Sequence, residues 1–279
     1  IEKGDETNRF RTRHSSNIKM IKILKYSFYD LARSRWSYVY FAFYLLLGFV
    51  LLFLNSNISK AVITLMNIIV VLSPMIGTIF GIMYHYSARE FTELLLAQPI
   101  RRRTIFLGQY LGIATSLSLS LILGLGIPFF IYGVSQSSEF WNFALLIITG
   151  TFLTFIFVGL AINIALANEN RIKGFSYAIL LWLFLAVMYD GIFMILLMVF
   201  KDYPLDQFAL IASIANPIDL SRILILLKLD IAALLGYTGA IFQKFFGSGL
   251  GAALSFLALF IWTLMPALNL LRLADKKDF

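Results

Sequence analysis

One carboxylate stands where a charge is costly. Asp190 lies within a long apolar run, ten residues before Phe200 at its outer end. At a helical rise of about 1.5 Å per residue, that puts it in the outer half of a membrane span. Ionisable side chains at such positions are rare and face protein or water. Two roles fit: a group on a substrate or proton path, or an inward-facing carboxylate bonded to a tyrosine, a serine or a neighbouring helix end. Met188, Met194 and Met198 flank it, and Met66, Met75 and Met83 lie on another apolar run. Thioethers bind Cu(I), but in so apolar a chain these methionines are expected to be packing residues. His14 and His85 are the only histidines and there is no cysteine. That excludes disulfides and thiolate sites and leaves too few ligands for a histidine metal centre within one chain. No Gly-x-x-x-x-Gly-Lys-Ser/Thr phosphate loop occurs, and no nucleophile stands beside a base. The expectation is a chain with no catalytic residue, no metal and no cofactor of its own. If ATP is used, a separate ATPase must bind it with its magnesium.

The elements that must position Asp190 are membrane helices. The chain is 60% hydrophobic and 14% charged, against about 45–50% and about 25% in soluble domains. A bilayer core about 30 Å thick takes about 20 apolar residues of helix. Six runs suffice: Tyr38–Leu54, Ala61–Tyr84, Thr104–Gly133, Phe140–Ala167, Phe175–Phe200 and Leu250–Leu271. The fold class expected is an all-α integral membrane protein.

Lysine and arginine set the orientation. With the segment before span 1 taken as inside, the inner segments carry nine in the N-terminal arm and four within 89–103. Arg171 and Lys173 add two, and Arg272, Lys276 and Lys277 add three. The outer segments carry five: Lys60, Lys201, Arg222, Lys228 and Lys244. Both termini are therefore expected in the cytoplasm. The net charge of +8 is explained by anionic lipid rather than by nucleic acid.

Residues 1–19 are polar and aperiodic, without the apolar region of a signal peptide, and read as a disordered extension ahead of Met20. Met20–Trp36 is different. Ile23, Leu24, Phe28 and Leu31 recur at helical spacing, with Lys22, Lys25, Arg33 and Arg35 mostly between them. This predicts a basic amphipathic helix in the headgroup plane, with Trp36, Tyr38 and Tyr40 marking the interface. Pro74 and Gly77 in span 2, and Gly124, Gly126 and Pro128 in span 3, suit kinks or close approach. Gly159 and Asn163 in span 4 suggest helix contact.

The longest connection, 201–249, is not a plain loop. Asn216 before Pro217 is a helix-start signal, and the helix that follows is expected to lie on or dip into the outer leaflet. The alternatives are a re-entrant segment or a membrane-buried core helix. Asp219, Arg222, Lys228 and Asp230 are candidates for an outer partner surface. "GYTG" should break this helix before a second short amphipathic piece, "IFQKFFGSGLG".

Between spans 2 and 3 stands "YSAREFTELLLAQPIRRRTIF". Its apolar part is too short to cross a bilayer. Phe91, Leu94 and Leu95 fall on one face of a short helix, with Arg89, Glu90, Thr92 and Glu93 on the others. Glu90 and Glu93 suit the positive end of the helix dipole, Pro99 ends the helix, and Arg101–Arg103 reach the inner headgroups. Both ends are tied to membrane helices, so a push on this helix moves spans 2 and 3.

The stretch resembles the coupling helix of the ABC-2 class of ABC-transporter permeases, which often carry Glu-x-Gly-Thr-x-Glu-x-Leu-Leu-x-x-Pro-x-x-Arg. Glu90, Thr92, Glu93, Leu94, Leu95, Pro99 and Arg102 match in order, with Phe91 in place of the glycine. Met20–Trp36 resembles the family's elbow helix. Six spans with both termini inside also match, so the resemblance runs over nearly all of the chain from Met20. "YSFYDLARSRW" and "NPIDLSRILILLKLDIAALLGYTGAIFQKFFG" are similar to the permeases that serve maturation of nitrous-oxide reductase. The resemblance implies a non-catalytic subunit of the bacterial inner membrane that works as a homodimer. It implies two cytoplasmic ABC ATPase subunits, a periplasmic β-helical protein, a copper chaperone, and a sulfur or copper cargo for a copper–sulfur centre. An exporter of a drug, lipid or polysaccharide, a membrane enzyme acting on lipid, and a proton-coupled carrier using Asp190 are the alternatives.

Overall fold

The computed structural model describes residues 20–55, 58–200, 206–228 and 249–276, and these are α-helical nearly throughout. An amphipathic helix, α1 (20–32), leads through a bend at Ser34 into α2 (Arg35–Leu54). Then come α3 (Ile58–Ser87), the short α4 (Arg89–Leu96), α5 (Arg102–Ile131) and α6 (Phe140–Ala167). Span 5 is composite: α7 (Arg171–Leu183), a π-helical turn (Phe184–Met188) and α8 (Tyr189–Val199). After it stand α9 (Asp206–Ala215), α10 (Pro217–Lys228) and α11 (Gly249–Lys276). Six helices are long and apolar enough to cross a membrane: α2, α3, α5, α6, α7–α8 and α11. The chain is thus an all-α multi-pass membrane protein, and the spans fall within about a turn of their expected positions.

With lipid tails as apolar as leucine, such helices associate by close packing and buried hydrogen bonds. The α3–α6 seam shows both. A Cβ on Gly81 would lie 3.1 Å from the Ala161 Cβ and 3.2 Å from the Val158 carbonyl. Ser73 Oγ lies 2.8 Å from Thr154 Oγ1 and donates to the Gly150 carbonyl at 3.0 Å. Gly124 on α5 receives Tyr44 of α2, where a Cβ would stand 2.7 Å from that of Tyr44. Pro128 fills the space beside Gly48, and Gly126 meets only its own helix. At the α6–α11 seam, Gly159 faces Pro266. Asn163 Nδ2 donates to the Pro266 carbonyl at 2.7 Å and to the Gly159 carbonyl at 2.9 Å.

The amphipathic α1 packs as well as floats. Ile23, Ser27 and Leu31 are buried at helical spacing. They meet α5 at Gly108 and Gly112, where a Cβ would come within 2.9 Å of Ile23 Cγ2 and 2.7 Å of Ser27 Cβ. Tyr40 is buried and donates to the Tyr44 hydroxyl at 3.3 Å, while Tyr38 is exposed. Met66 lies in the core, whereas Met188, Met194 and Met198 are exposed on span 5.

The connection between spans 5 and 6 is sharply bent. The α9 and α10 arms meet at Asn216 with a bend of 114°. Their 10 and 12 residues reach about 15–18 Å each, roughly half of the bilayer core. They form a sharply bent helical hairpin with the geometry of a re-entrant segment, a form left open by the sequence. Ile218, Leu220, Leu224 and Ile225 on α10 are all buried, so the arm inserts among α3, α6 and α11. Asn216 caps it, its Oδ1 accepting from the Ile218 amide at 3.1 Å. The "GYTG" break, the second amphipathic piece, Asp230 and residues 1–19 lie outside the described residues, as does the side chain of Lys228.

Candidate functional site

The short helix between spans 2 and 3 is present as α4, with Glu90 in its first turn. Starting at Arg89, it places Glu93 beyond that turn, where its carboxylate accepts from Arg89 Nε at 2.9 Å on the exposed face. The apolar face of the helix is split between the bundle and the surface. Thr92 and Leu95 are buried, Phe91 is half-buried and Leu94 is 68% exposed. The reason is a polar partner on α5. The buried Gln109 donates from Nε2 to Thr92 Oγ1 at 2.8 Å, and Thr92 Oγ1 donates to the Ala88 carbonyl at 2.8 Å. With Thr92 turned inward, Leu94, two residues on and about 200° round the helix, must point away.

The inner face of α4 is fixed to the elbow as well. Phe91 stacks on Tyr26 of α1, with centroids 4.4 Å apart and 23° between ring planes. Ile23, Leu95 and Ile105 form a small apolar core joining α1, α4 and α5. Between α1 and α4 opens a groove of about 390 Å³, lined by Lys22, Tyr26, Phe91, Leu95, Gln98 and Pro99. One side of α4 is therefore riveted to the bundle. The other presents Leu94 beside the Arg89–Glu93 pair.

Two further ties spread from this platform. Tyr86, three residues before α4, donates to the Asn168 carbonyl at 2.7 Å in the turn joining spans 4 and 5. A Cβ on Gly174 would lie 2.0 Å from the Tyr86 oxygen, so only glycine admits this ring. Arg103, at the start of α5, donates to both Asp275 oxygens, from Nε at 2.8 and 2.7 Å, and ties the C-terminal end of α11 to the start of α5. Sequence reasoning passed over Gln109, Tyr86, Gly174, Gly108 and Gly112. Only the two glycines of α5 carried a signal, a four-residue spacing of small residues on a membrane helix.

Asp190 is paired. Its Oδ2 accepts from Arg222 Nη1 at 2.5 Å, across from α10. Arg222 also reaches Asp219 Oδ1 at 3.5 Å, and Asn216 Nδ2 donates to Asp219 Oδ2 at 3.1 Å. Asp219 is buried and Arg222 is turned inward, so these two face Asp190 rather than an outer partner. The partner of Asp190 is an arginine, not the tyrosine, serine or helix end anticipated.

Comparison with known proteins follows the same direction. No family model matches the chain. A relative described as "Probable ABC transporter permease protein NosY", from Stutzerimonas stutzeri, is 24% identical over 136 residues, 47% of this chain and 49% of the relative. The match thus spans about half the length of each protein. The chain is an all-helical, multi-pass membrane protein whose similarity is to an ABC-transporter permease.

Proposed function

We propose that the chain is the non-catalytic membrane subunit of an ATP-driven transporter, with α4 as the element that receives a cytoplasmic ATPase. The observation that carries this reading is the two-sided build of α4. Leu94 and the Arg89–Glu93 pair face outward, while Thr92, Phe91 and Leu95 are held by Gln109, Tyr26 and the α1–α5 core. Such a helix passes a push on its outer face to the spans behind it instead of absorbing it. An apolar pocket on the ATPase would take Leu94, and the groove beside α1 would take a neighbouring side chain. Through Tyr86 and Arg103 the displacement would reach spans 4, 5 and 6 as well as 2 and 3.

In this reading the chain lies in a bacterial inner membrane with both termini in the cytoplasm and works as two copies with two ATPases. The similarity to a protein named NosY favours service to copper–sulfur centre assembly of nitrous-oxide reductase, with a periplasmic β-helical partner and a copper chaperone. The alternative is an ABC-2 exporter of a drug, lipid or polysaccharide. A proton-coupled carrier built on Asp190 is the other alternative, and it predicts function that survives loss of the ATPase.

The test is a pull-down in mild detergent of the tagged chain from native membranes, beside the double variant Glu93→Ala/Leu94→Ala. An ATPase that accompanies the parent and is lost from the variant is the expected result. A β-helical periplasmic protein in the same sample selects the copper-enzyme reading over the exporter. No ATPase with either form overturns the proposal.

A further inference from the structure

In the outer half of the bundle two helices are interrupted side by side. Span 5 contains the π-helical turn Phe184–Met188, and the re-entrant hairpin breaks at Asn216. A π turn holds one residue more than an α turn and leaves carbonyls without their usual partners. A break between helices likewise strands the last carbonyls of the first arm. In an apolar surround such groups must find partners within the protein. Here each interruption is completed by the other. Asn216 Nδ2 donates to the carbonyl of Leu185, within the π turn, at 2.8 Å. Tyr189, the residue after that turn, donates from its hydroxyl to the carbonyl of Ala212, in the last turn of α9, at 2.6 Å. The third tie is the Asp190–Arg222 pair at 2.5 Å, with the buried Asp219 holding both Asn216 and Arg222 in place.

The two interruptions therefore stand or fall together. If the hairpin withdrew, the Leu185 carbonyl would lose its donor. Span 5 would regain satisfaction by closing the π turn into an α turn. That change removes the extra residue and rotates everything beyond it by about 100°. Asp190, two residues past the turn, would swing away from Arg222. The segment would then have two arrangements, clasped with a π turn as in this structure and released with an α turn.

We propose that Asp190, Tyr189, Asn216 and Arg222 form a clasp that holds the re-entrant hairpin against span 5, and that its release opens the outer end of the bundle as a gate. The clasp stands on the geometry alone. What drives its release rests on the ATPase coupling proposed above.

The absence of cysteine makes the test direct. Phe193 on α8 and Phe208 on α9 lie across the same seam, with ring centroids 6.3 Å apart. The pair Phe193→Cys/Phe208→Cys, oxidised in membranes with copper phenanthroline and no nucleotide, reports the clasped state. Asp190→Asn, Arg222→Gln and Tyr189→Phe, each added to that pair, are expected to slow cross-linking by about threefold or more. The exchange Asp190→Arg/Arg222→Asp is expected to recover part of the charge-variant loss. If the charge variants do not accumulate, Tyr189→Phe keeps the ring, removes one bond and decides alone. Unchanged cross-linking in every variant that accumulates overturns the clasp and leaves the ATPase pull-down untouched. With ATP, magnesium and vanadate the parent pair is expected to cross-link more slowly. An unchanged rate in membranes where the ATPase co-purifies overturns the gate.

Discussion

Gln109 holds Thr92. A buried amide on span 3 and a buried hydroxyl on α4 meet at 2.8 Å, the polar contact that orients the short helix between spans 2 and 3. Gln109→Leu keeps the volume and removes the donor, and Thr92 retains its bond to the Ala88 carbonyl. The expected cost to stability is about 1 kcal/mol, typical of one lost hydrogen bond. Because only apolar packing on Tyr26, Ile23 and Ile105 would then set the rotation of α4, ATPase co-purification should fall by more than the stability loss explains. Thermal unfolding in detergent and quantitative pull-down, run together, check this.

Leu94 should behave oppositely. It is 68% exposed and supports nothing within the chain. Leu94→Ala is expected to leave the melting temperature of the isolated protein unchanged and to weaken ATPase binding about tenfold, as loss of a central apolar anchor does. A titration of the purified ATPase against both forms measures it.

Glu93→Gln alone is the control on the same face. The Arg89–Glu93 pair is an exposed pair one helical turn apart, 62% and 52% exposed, and such pairs contribute about 0.3–0.5 kcal/mol. Stability should be unmoved within that amount. Any loss of ATPase binding would then report a contact made by the carboxylate to the partner.

Gly174→Ala places a methyl group 2.0 Å from the Tyr86 hydroxyl. The ring must move and its bond to the Asn168 carbonyl must break, at about 1–3 kcal/mol. Tyr86→Phe removes the oxygen and should recover part of that loss in the double variant. A melting-temperature cycle of the four proteins gives the interaction directly.

Asn163→Leu should separate spans 4 and 6. It removes the donor to the Pro266 carbonyl and the acceptor of Asn269 Nδ2 at 3.4 Å. Buried bonds between membrane helices average about 0.6 kcal/mol, and the added bulk beside Gly159 raises the cost. Resistance to thermal unfolding in detergent is the readout.

What the sequence made legible followed from strong local signals. Spans announce themselves by length, since no soluble helix needs so many consecutive apolar residues. The existence of α4 was readable because charges and Pro99 interrupt an otherwise apolar chain. Its rotation was not. Apolar spacing grouped Leu94 with Phe91 and Leu95, but a polar partner on α5 turns Thr92 inward and leaves Leu94 exposed. The hairpin was ambiguous for a related reason: Asp219 and Arg222 on α10 read as an exposed surface, and the carboxylate that Arg222 meets lies on another helix. The Asn216–Pro217 cap was visible, and the fold of the chain around it was not. Asp190 was recognised as exceptional, yet its partner lies 32 positions away across a bend that no periodicity encodes.

The Tyr86–Gly174 contact bears on how such a protein can be altered by exchange of parts. The turn between spans 4 and 5 and the foot of α4 share one interlocked fitting, a ring on one side and a missing side chain on the other. A graft of α4 and its flanks from a relative carries half of that fitting and meets a turn shaped for the other half. Segments that look like independent loops in the sequence are inherited as a pair.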